Sequence, residues 1–163
     1  MGMAFHFRSI ARDDYEQVKK LHEEFFPVRY SDKFFKEICT GKLRGGDLFS
    51  SMAIDSRTTS VIGFVLAQIV SASTLEDKDL FAQKTTDDKV CYILTIGLKE
   101  TYRKSGLGSN LVRQCIHYSE RFTACGAVYL HVIHYNTAAI RLYRSMQFEW
   151  LKTLQVIGVF NRV

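Results

Sequence analysis

The sequence predicts an α/β fold, a mixed central sheet flanked by helices, with elements in the order β-α-α-β-β-β-α-β-α-β. Three observations carry this expectation. Apolar runs of strand length alternate with segments of helical period along most of the 163 residues. The two late strand patterns, Val90 to Leu98 and Ala127 to Ile133, are joined by a helical segment of crossover length, which implies parallel pairing. The first of those strands also runs through a basic, glycine-bearing turn straight into a helix.

Taken in order, residues 5–10 alternate loosely and read as a strand. Asp13 with Glu16 three residues on resembles a capping box, and Tyr15, Val18, Leu21, His22 and Phe25 follow at helical spacing. Phe26-Pro27-Val28-Arg29-Tyr30 breaks that helix at the only proline. Ser31 caps a short second helix from Asp32 to Cys39, which stops before Gly41. Leu48 to Ile54 and Val61 to Val70 are strands about a polar turn, and residues 73–89 read as a long polar loop. Val90 to Leu98 is apolar enough for a buried strand. Leu107, Leu111, Val112, Cys115, Ile116 and Ser119 mark a helix, Ala127 to Ile133 a strand, and Thr137 to Met146 a helix. Phe148 to Val159 reads as one last strand or two short ones.

Composition narrows the function classes. Apolar residues make up 47 % and charged residues 24 %, ordinary for one globular domain spanning 1–163 and wrong for a disordered tail, a coiled coil or a collagen-like rod. No apolar run approaches the roughly 20 residues that cross a bilayer, and the N-terminus has no signal-peptide core. Four scattered cysteines without a C-x-x-C pair suit a reduced, cytoplasmic chain. A net charge of +5 suits an anionic ligand, a nucleic acid or a membrane surface without choosing among them.

The most informative segment is Arg103-Lys104-Ser105-Gly106-Leu107-Gly108-Ser109. A helix N-terminus leaves backbone N–H groups unpaired and carries partial positive charge. Glycines let an anion approach the main chain, and Arg103 and Lys104 add charge beside it. No G-K-[ST] follows, so the turn is not a P-loop, and it does not follow the first strand as a dinucleotide fingerprint would.

This R-x-x-G-x-G turn resembles the acetyl-CoA pyrophosphate motif of the GNAT acetyltransferases, and the likeness covers about residues 5 to 148. Asn136 and Tyr143 resemble that family's second cofactor helix. Phe26 to Tyr30, Val90 to Gly97 and Tyr129-Leu130-His131-Val132 are similar to motifs of the protein N-terminal acetyltransferases, the NatF type first and the NatE catalytic subunit second. The resemblance implies a GNAT fold and acetyl transfer from acetyl-CoA to α-amines of protein N-termini, above all retained methionines. It assigns Tyr92 and His131 to catalysis. Phe26, Val28, Tyr30 and Leu94 fall to the peptide. Ile96, Gly97 and Leu98 fall to the pantetheine arm, and Arg103, Lys104, Ser105, Gly106, Leu107, Gly108 and Ser109 to the pyrophosphate. Asn136, Tyr143, Arg144, Ser145 and Met146 are further cofactor contacts, with Tyr143 able to hydrogen-bond the departing sulfur.

The expected partners are acetyl-CoA and peptide N-termini, with no nucleic acid and no metal, and the chain is expected to act as a monomer. His131 and His134, three apart on a strand, point to opposite faces, and no Cys or carboxylate cluster completes a metal site. The chain departs from the family after Phe148: Gly158 stands where NatF proteins have a substrate-contacting tyrosine, and the C-terminal hairpin reads as shortened. Membrane association at the Golgi or plasma membrane, as in NatF-type relatives, is expected only of a longer form. Lysine or histone acetylation on the same fold, and a weakly catalytic acetyl-CoA-binding partner subunit, are the alternative functions. A nucleic-acid binder rests on charge alone, with no aromatic-basic stacking motif to support it.

Overall fold

The computed structural model describes residues 4–76, 78–79, 88–154 and 157–162, with side chains described through residue 153. The chain folds into two compact units, Met1–Ala67 with Thr95–Val112, and Gln68–Leu94 with Arg113–Val163.

The first unit starts with β1 (Phe5–Arg8), α1 (Tyr15–Phe25) and α2 (Asp32–Ile38). The short strands β2 (Lys42–Leu43) and β3 (Gly46–Asp47), then β4 (Phe49–Asp55), lead into β5 (Val61–Ser71). β1 pairs antiparallel with β4, and β4 with β5, aligning Phe5 with Asp55 and Met52 with Phe64. β4 is buried almost throughout, its polar Ser50, Ser51 and Asp55 as well as Met52, Ala53 and Ile54.

The start of α1 differs from the sequence expectation. Residues Arg12–Asp14 form a 3-10 turn, and Asp14, not Asp13, stands at the helix N-cap without a side-chain cap bond. Its carboxylate receives the Ala11 N–H at 2.7 Å and both terminal nitrogens of Arg8 at 2.6 and 2.8 Å. A bidentate guanidinium outcompetes the amides of the first helical turn for those oxygens. The Arg8 bond holds the Asp14 carboxyl below its ordinary range, against the opposing effect of burial. Ser31 does cap α2, its Oγ accepting from Phe34 N at 3.4 Å. The β2–β3 hairpin has no sequence expectation behind it. Arg44 (φ 51°) and Gly45 (φ 79°) form its two-residue turn, and strands of two residues leave no periodicity to read.

β6 (Lys89–Leu98) contributes its last residues to this unit, where Lys99 N donates to Ile62 O at 2.8 Å. Here Gly63 leaves no room for a side chain. A Cβ there would lie 2.6 Å from the Gly97 carbonyl oxygen and would strike Leu98 Cδ2. Gly63→Ala is therefore expected to cost about 3 kcal/mol and lower the melting temperature by roughly 10 °C, because a backbone oxygen cannot swing aside. A thermal melt that moved by less than about 2 °C would mean the strands separate without cost.

The second unit contains the rest of β5 and β6, β7 (Cys125–Ile133), α4 (Thr137–Ser145), β8 (Glu149–Leu154) and β9 (Ile157–Arg162). Helix α3 (Leu107–Ser119) begins in the first unit and ends in this one. β6 runs parallel to β7, as the helical segment of crossover length implied, with Tyr92 opposite Tyr129. β9 pairs antiparallel with both β7 and β8, so the C-terminal segment forms two strands. Gly158 aligns with Val132. Within the expected loop at 73–89, Ala72–Thr74 forms a 3-10 turn and Ala72 N donates to Asp88 O at 2.8 Å, while residues 77 and 80–87 lie outside the described residues. The core of this unit gathers Val90, Ala127 and Tyr129, packed by Val70, Ala72, Leu75, Tyr92 and Leu151.

Candidate active site

In the first unit, β6 ends at Leu98, a 3-10 turn spans Glu100–Tyr102, and α3 starts at Leu107. The turn is anchored by the Tyr102 hydroxyl donating to Asp55 Oδ2 at 2.8 Å and by Ser105 Oγ donating to Tyr102 O at 2.6 Å. Lys104 and Gly106 both have left-handed backbone, with φ of 60° and 83°. The first bond of α3 runs from Asn110 N to Gly106 O, so the N–H groups of Leu107, Gly108 and Ser109 precede the helical ladder and point out of its N-terminus. Arg103, Lys104, Ser105 and Gly106 are exposed there, with Arg103 Nε donating to Leu98 O at 3.3 Å. Free amides, a helix dipole and two cations fit a pyrophosphate.

Gly106 meets nothing within 4 Å at its Cβ position, so its requirement is conformational. Gly106→Ala is expected to lower stability by about 1–2 kcal/mol. It is also expected to weaken coenzyme A binding on the order of tenfold, as the turn tilts the first amides of α3. Urea unfolding and titration calorimetry with coenzyme A read the two effects. Unchanged affinity would separate the turn from phosphate binding.

In the second unit, Tyr92 on β6 and Tyr129 and His131 on β7 line one sheet face. The Tyr92 hydroxyl lies 3.1 Å from His131 Nδ1, and the Tyr129 hydroxyl 2.8 Å from His131 Nε2. Both imidazole nitrogens thus face a phenol. The Tyr92 and Tyr129 rings are 5.2 Å apart, and each meets the imidazole edge-on. Tyr129 is 1 % exposed, whereas Tyr92 and His131 are half-buried, so the array opens at its Tyr92–His131 end. Tyr92 and His131 were both expected site residues. Tyr129 was not, although its i, i+2 relation to His131 on a strand is the signal that places the two on one face.

The remaining expected residues fall as follows. Ile96, Gly97 and Leu98 are half-buried at the end of β6, and Leu94 is half-buried further back on the same strand. Asn136 is the N-cap of α4, its Oδ1 accepting from Ala139 N at 3.2 Å. Tyr143 is buried beside Phe148, and burial pushes its phenol up, so it stays a neutral donor at pH 7. Arg144 and Ser145 are exposed and Met146 is buried at the end of α4. Phe26 is half-buried, while Val28 and Tyr30 are among the exposed large apolar side chains. Tyr30 stacks on Phe34 at 4.3 Å. Beneath this loop lies His22, ringed by Phe26, Tyr30, Phe34, Phe35 and Phe64 at centroid distances of 4.8 to 6.5 Å. Among the described residues, His22 Nδ1 and Thr95 Oγ1 are the buried side-chain polar atoms without a hydrogen-bond partner.

Burial pushes the Cys91 thiol up to about 12, and Cys115 higher than its ordinary value too, so neither is a nucleophile at neutral pH. His134 lies in the turn beyond β7, outside the strand on which its orientation was expected. Among the described residues no three His, Cys, Asp or Glu side chains group to hold a metal ion.

Residues 15–148 match the acetyltransferase (GNAT) family, and the chain belongs to it. It is 33 % identical over 166 residues to the histone acetyltransferase MCC1 of Arabidopsis thaliana, covering 98 % of this chain and 66 % of that protein. It is 32 % identical over 147 residues to N-alpha-acetyltransferase 60 of Xenopus tropicalis, covering 87 % of this chain and 58 % of the relative. The chain thus spans less than two thirds of the length of these curated relatives. Its fold is similar to Arabidopsis thaliana NAA60 solved with a bisubstrate analogue, at a TM-score of 0.82 and 35 % identity, covering 97 % of this chain and 95 % of that one. The same protein solved with acetyl-CoA gives a TM-score of 0.80 at 35 % identity, with 97 % and 96 % covered. The expected GNAT architecture and the NatF-type resemblance both hold.

Proposed function

We propose that this protein transfers the acetyl group of acetyl-CoA to the free α-amine of protein N-termini, those with a retained methionine first among them. The observation that carries the reading is the Tyr92–His131 hydrogen bond at the open end of a half-buried ring array, in a chain of the GNAT family. The relatives named N-alpha-acetyltransferase 60 support this choice of acceptor.

Acetyl-CoA, when bound, supplies the acetyl group as a thioester. Arg103 to Ser109 would hold its pyrophosphate, Ile96 to Leu98 its pantetheine arm, and Asn136 with Tyr143 to Met146 would complete the hold. An α-amine has a pKa of about 8, so a useful fraction is neutral at pH 7, and a base need only take the proton released on attack. Both His131 nitrogens already face tyrosyl hydroxyls, so the Tyr92 oxygen is the group offered to the amine. Tyr92 passes its own proton to Nδ1 as it receives the amine's. Tyr143, kept protonated by burial, is suited to donate to the leaving sulfur. Exposed Val28 and Tyr30, with Phe26, suit an apolar first side chain.

None of Cys39, Cys91, Cys115 and Cys125 forms a disulfide, which supports a reducing, cytoplasmic setting for this activity. Among the described residues no helix is long and apolar enough to cross a membrane.

Mass spectrometry after incubation with acetyl-CoA tests the reading. The peptides begin Met-Lys, Met-Leu or Met-Ala, beside an N-terminally blocked peptide with free lysines. A mass gain confined to free N-termini is expected. Gain only on lysines would favour the second reading, a lysine acetyltransferase, to which the histone acetyltransferase relative points. Coenzyme binding without transfer to any peptide would leave a cofactor-binding partner subunit.

A further inference from the structure

We propose that Arg29 is a positioning residue: its guanidinium clasps the Phe26–Tyr30 loop to the end of α1 and so holds Val28 and Tyr30 in place for the substrate's first side chain. The consequence rests on the acetyl-transfer reading above, and the geometry rests on contacts within the first unit alone.

The clasp answers a need written into the sequence. A helix leaves its last carbonyls without intrahelical partners. At the end of α1 the His22 carbonyl still receives the Phe26 N–H at 3.0 Å. The carbonyl after it belongs to Glu23, and the residue four places on is Pro27, which has no N–H to give. The residue before a proline is also pushed out of the helical region, and Phe26 is extended, with φ −128° and ψ 139°. Arg29 supplies a donor from its side chain. Its Nη1 donates to Glu23 O at 3.1 Å and to Phe26 O at 3.0 Å. A cation at this place also suits the negative end of the helix dipole.

The two ends of the loop rest on rings. Phe26 and Tyr30 lie 4.8 and 5.1 Å from the His22 imidazole, and Tyr30 stacks on Phe34 of α2. Val28 and Tyr30 are nevertheless 54 % and 47 % exposed, so burial alone gives this stretch little hold. The arginine bonds tie it back to the last turn of α1. A protein whose competent shape is populated only part of the time binds more weakly by that fraction, and binding then costs the ordering of the loop. Because Arg29 acts through main-chain carbonyls, it favours every peptide alike, whatever the charge of the second residue.

The test compares wild type, Arg29→Ala and Arg29→Lys in steady-state kinetics on Met-Lys, Met-Leu and Met-Glu peptides. Nitrogen-15 backbone relaxation of Val28 and Tyr30 in the free proteins accompanies it. Arg29→Ala is expected to raise the peptide KM roughly three- to tenfold by the same factor for all three peptides, with kcat and the acetyl-CoA KM within about twofold. Arg29→Lys keeps a donor without the fork, and its KM is expected between the two. The order parameters of Val28 and Tyr30 are expected near about 0.8 in wild type and below about 0.6 in Arg29→Ala. A KM change that differs between Met-Glu and Met-Lys peptides would make Arg29 a charge contact of the second residue and overturn the proposal. An unchanged KM, or unchanged order parameters in a folded Arg29→Ala, overturns it too. Wild-type order parameters below about 0.6 do so even if Arg29→Ala fails to fold. If the wild type acetylates no peptide, the acetyl-transfer reading falls by itself, and the order parameters still decide the clasp.

Discussion

His131→Ala is expected to lower kcat for peptide acetylation roughly 10²- to 10⁴-fold while coenzyme A affinity stays within about twofold. The separation follows from the geometry. His131 hydrogen-bonds Tyr92 on one side and Tyr129 on the other, and both contacts belong to the second unit. The amides that fit a pyrophosphate belong to the first turn of α3, in the other unit. Removing the imidazole takes away the nitrogen that the Tyr92 hydroxyl meets at 3.1 Å. Tyr92→Phe should lose activity to a similar degree, because the two groups act on one proton. The double variant should then be little worse than either single one, since residues that act as a unit are non-additive. Steady-state kinetics on a Met-Lys peptide and calorimetric titration with coenzyme A provide the check. A His131→Ala enzyme with more than about a tenth of wild-type kcat would remove His131 from the proton path.

Stability should fall by up to about 3 kcal/mol as pH drops from 6.5 toward 4, and His22→Leu should abolish that fall. His22 is 2 % exposed and ringed by aromatic side chains. Burial, helped by the positive charge of Arg29 and opposed by Glu23, pushes its imidazole down from 6.5 to about 4. Between those values the unfolded chain binds a proton at this position that the folded chain refuses. The stability from a neutral His22 is therefore complete above pH 6.5 and is lost as pH falls toward 4. Asp14, Asp32 and Asp55 are held below their ordinary carboxyl values, so their contributions are lost only at more acid pH, below about 4. Leucine also removes the orphan Nδ1, so His22→Leu should be at least as stable as wild type at pH 7.5. Urea midpoints at pH 7.5, 6.0 and 5.0 read both effects. Parallel pH curves for the two proteins would show that His22 is not the group responsible.

Much of the fold was legible because its signals are local. The helical stripes at 15–25 and 107–119, the strand at 90–98 and the Ser31 cap each show within a dozen residues, and each forms, although the strand expected to be buried is so only at Val90, Cys91 and Ile93 and is half-buried from Leu94 to Leu98. The α1 capping box misled because Asp13 and Glu16 look right locally, whereas Arg8 claims the carboxylate one position later. Pairing partners that lie outside the local window are invisible to a spacing rule. The β2–β3 hairpin was missed for the opposite reason, since two-residue strands are too short to carry a period.

For the site, the sequence by itself determined the chemistry available: a basic glycine turn at a helix start, and Tyr92 and His131 in adjacent apolar strands. The helical segment of crossover length between them also implied a parallel β6–β7 pair, which the structure has. Only the tertiary structure decided which atoms meet. The register of β6 on β7 puts Tyr92 opposite Tyr129, and that alignment closes the imidazole between two phenols. Only the packing of β5 on β6 makes Gly63 indispensable, and only the aromatic ring around His22 makes it an orphan base. Register, close approach and desolvation are properties of residues distant in the chain, and they come into being only when the strands and helices pack.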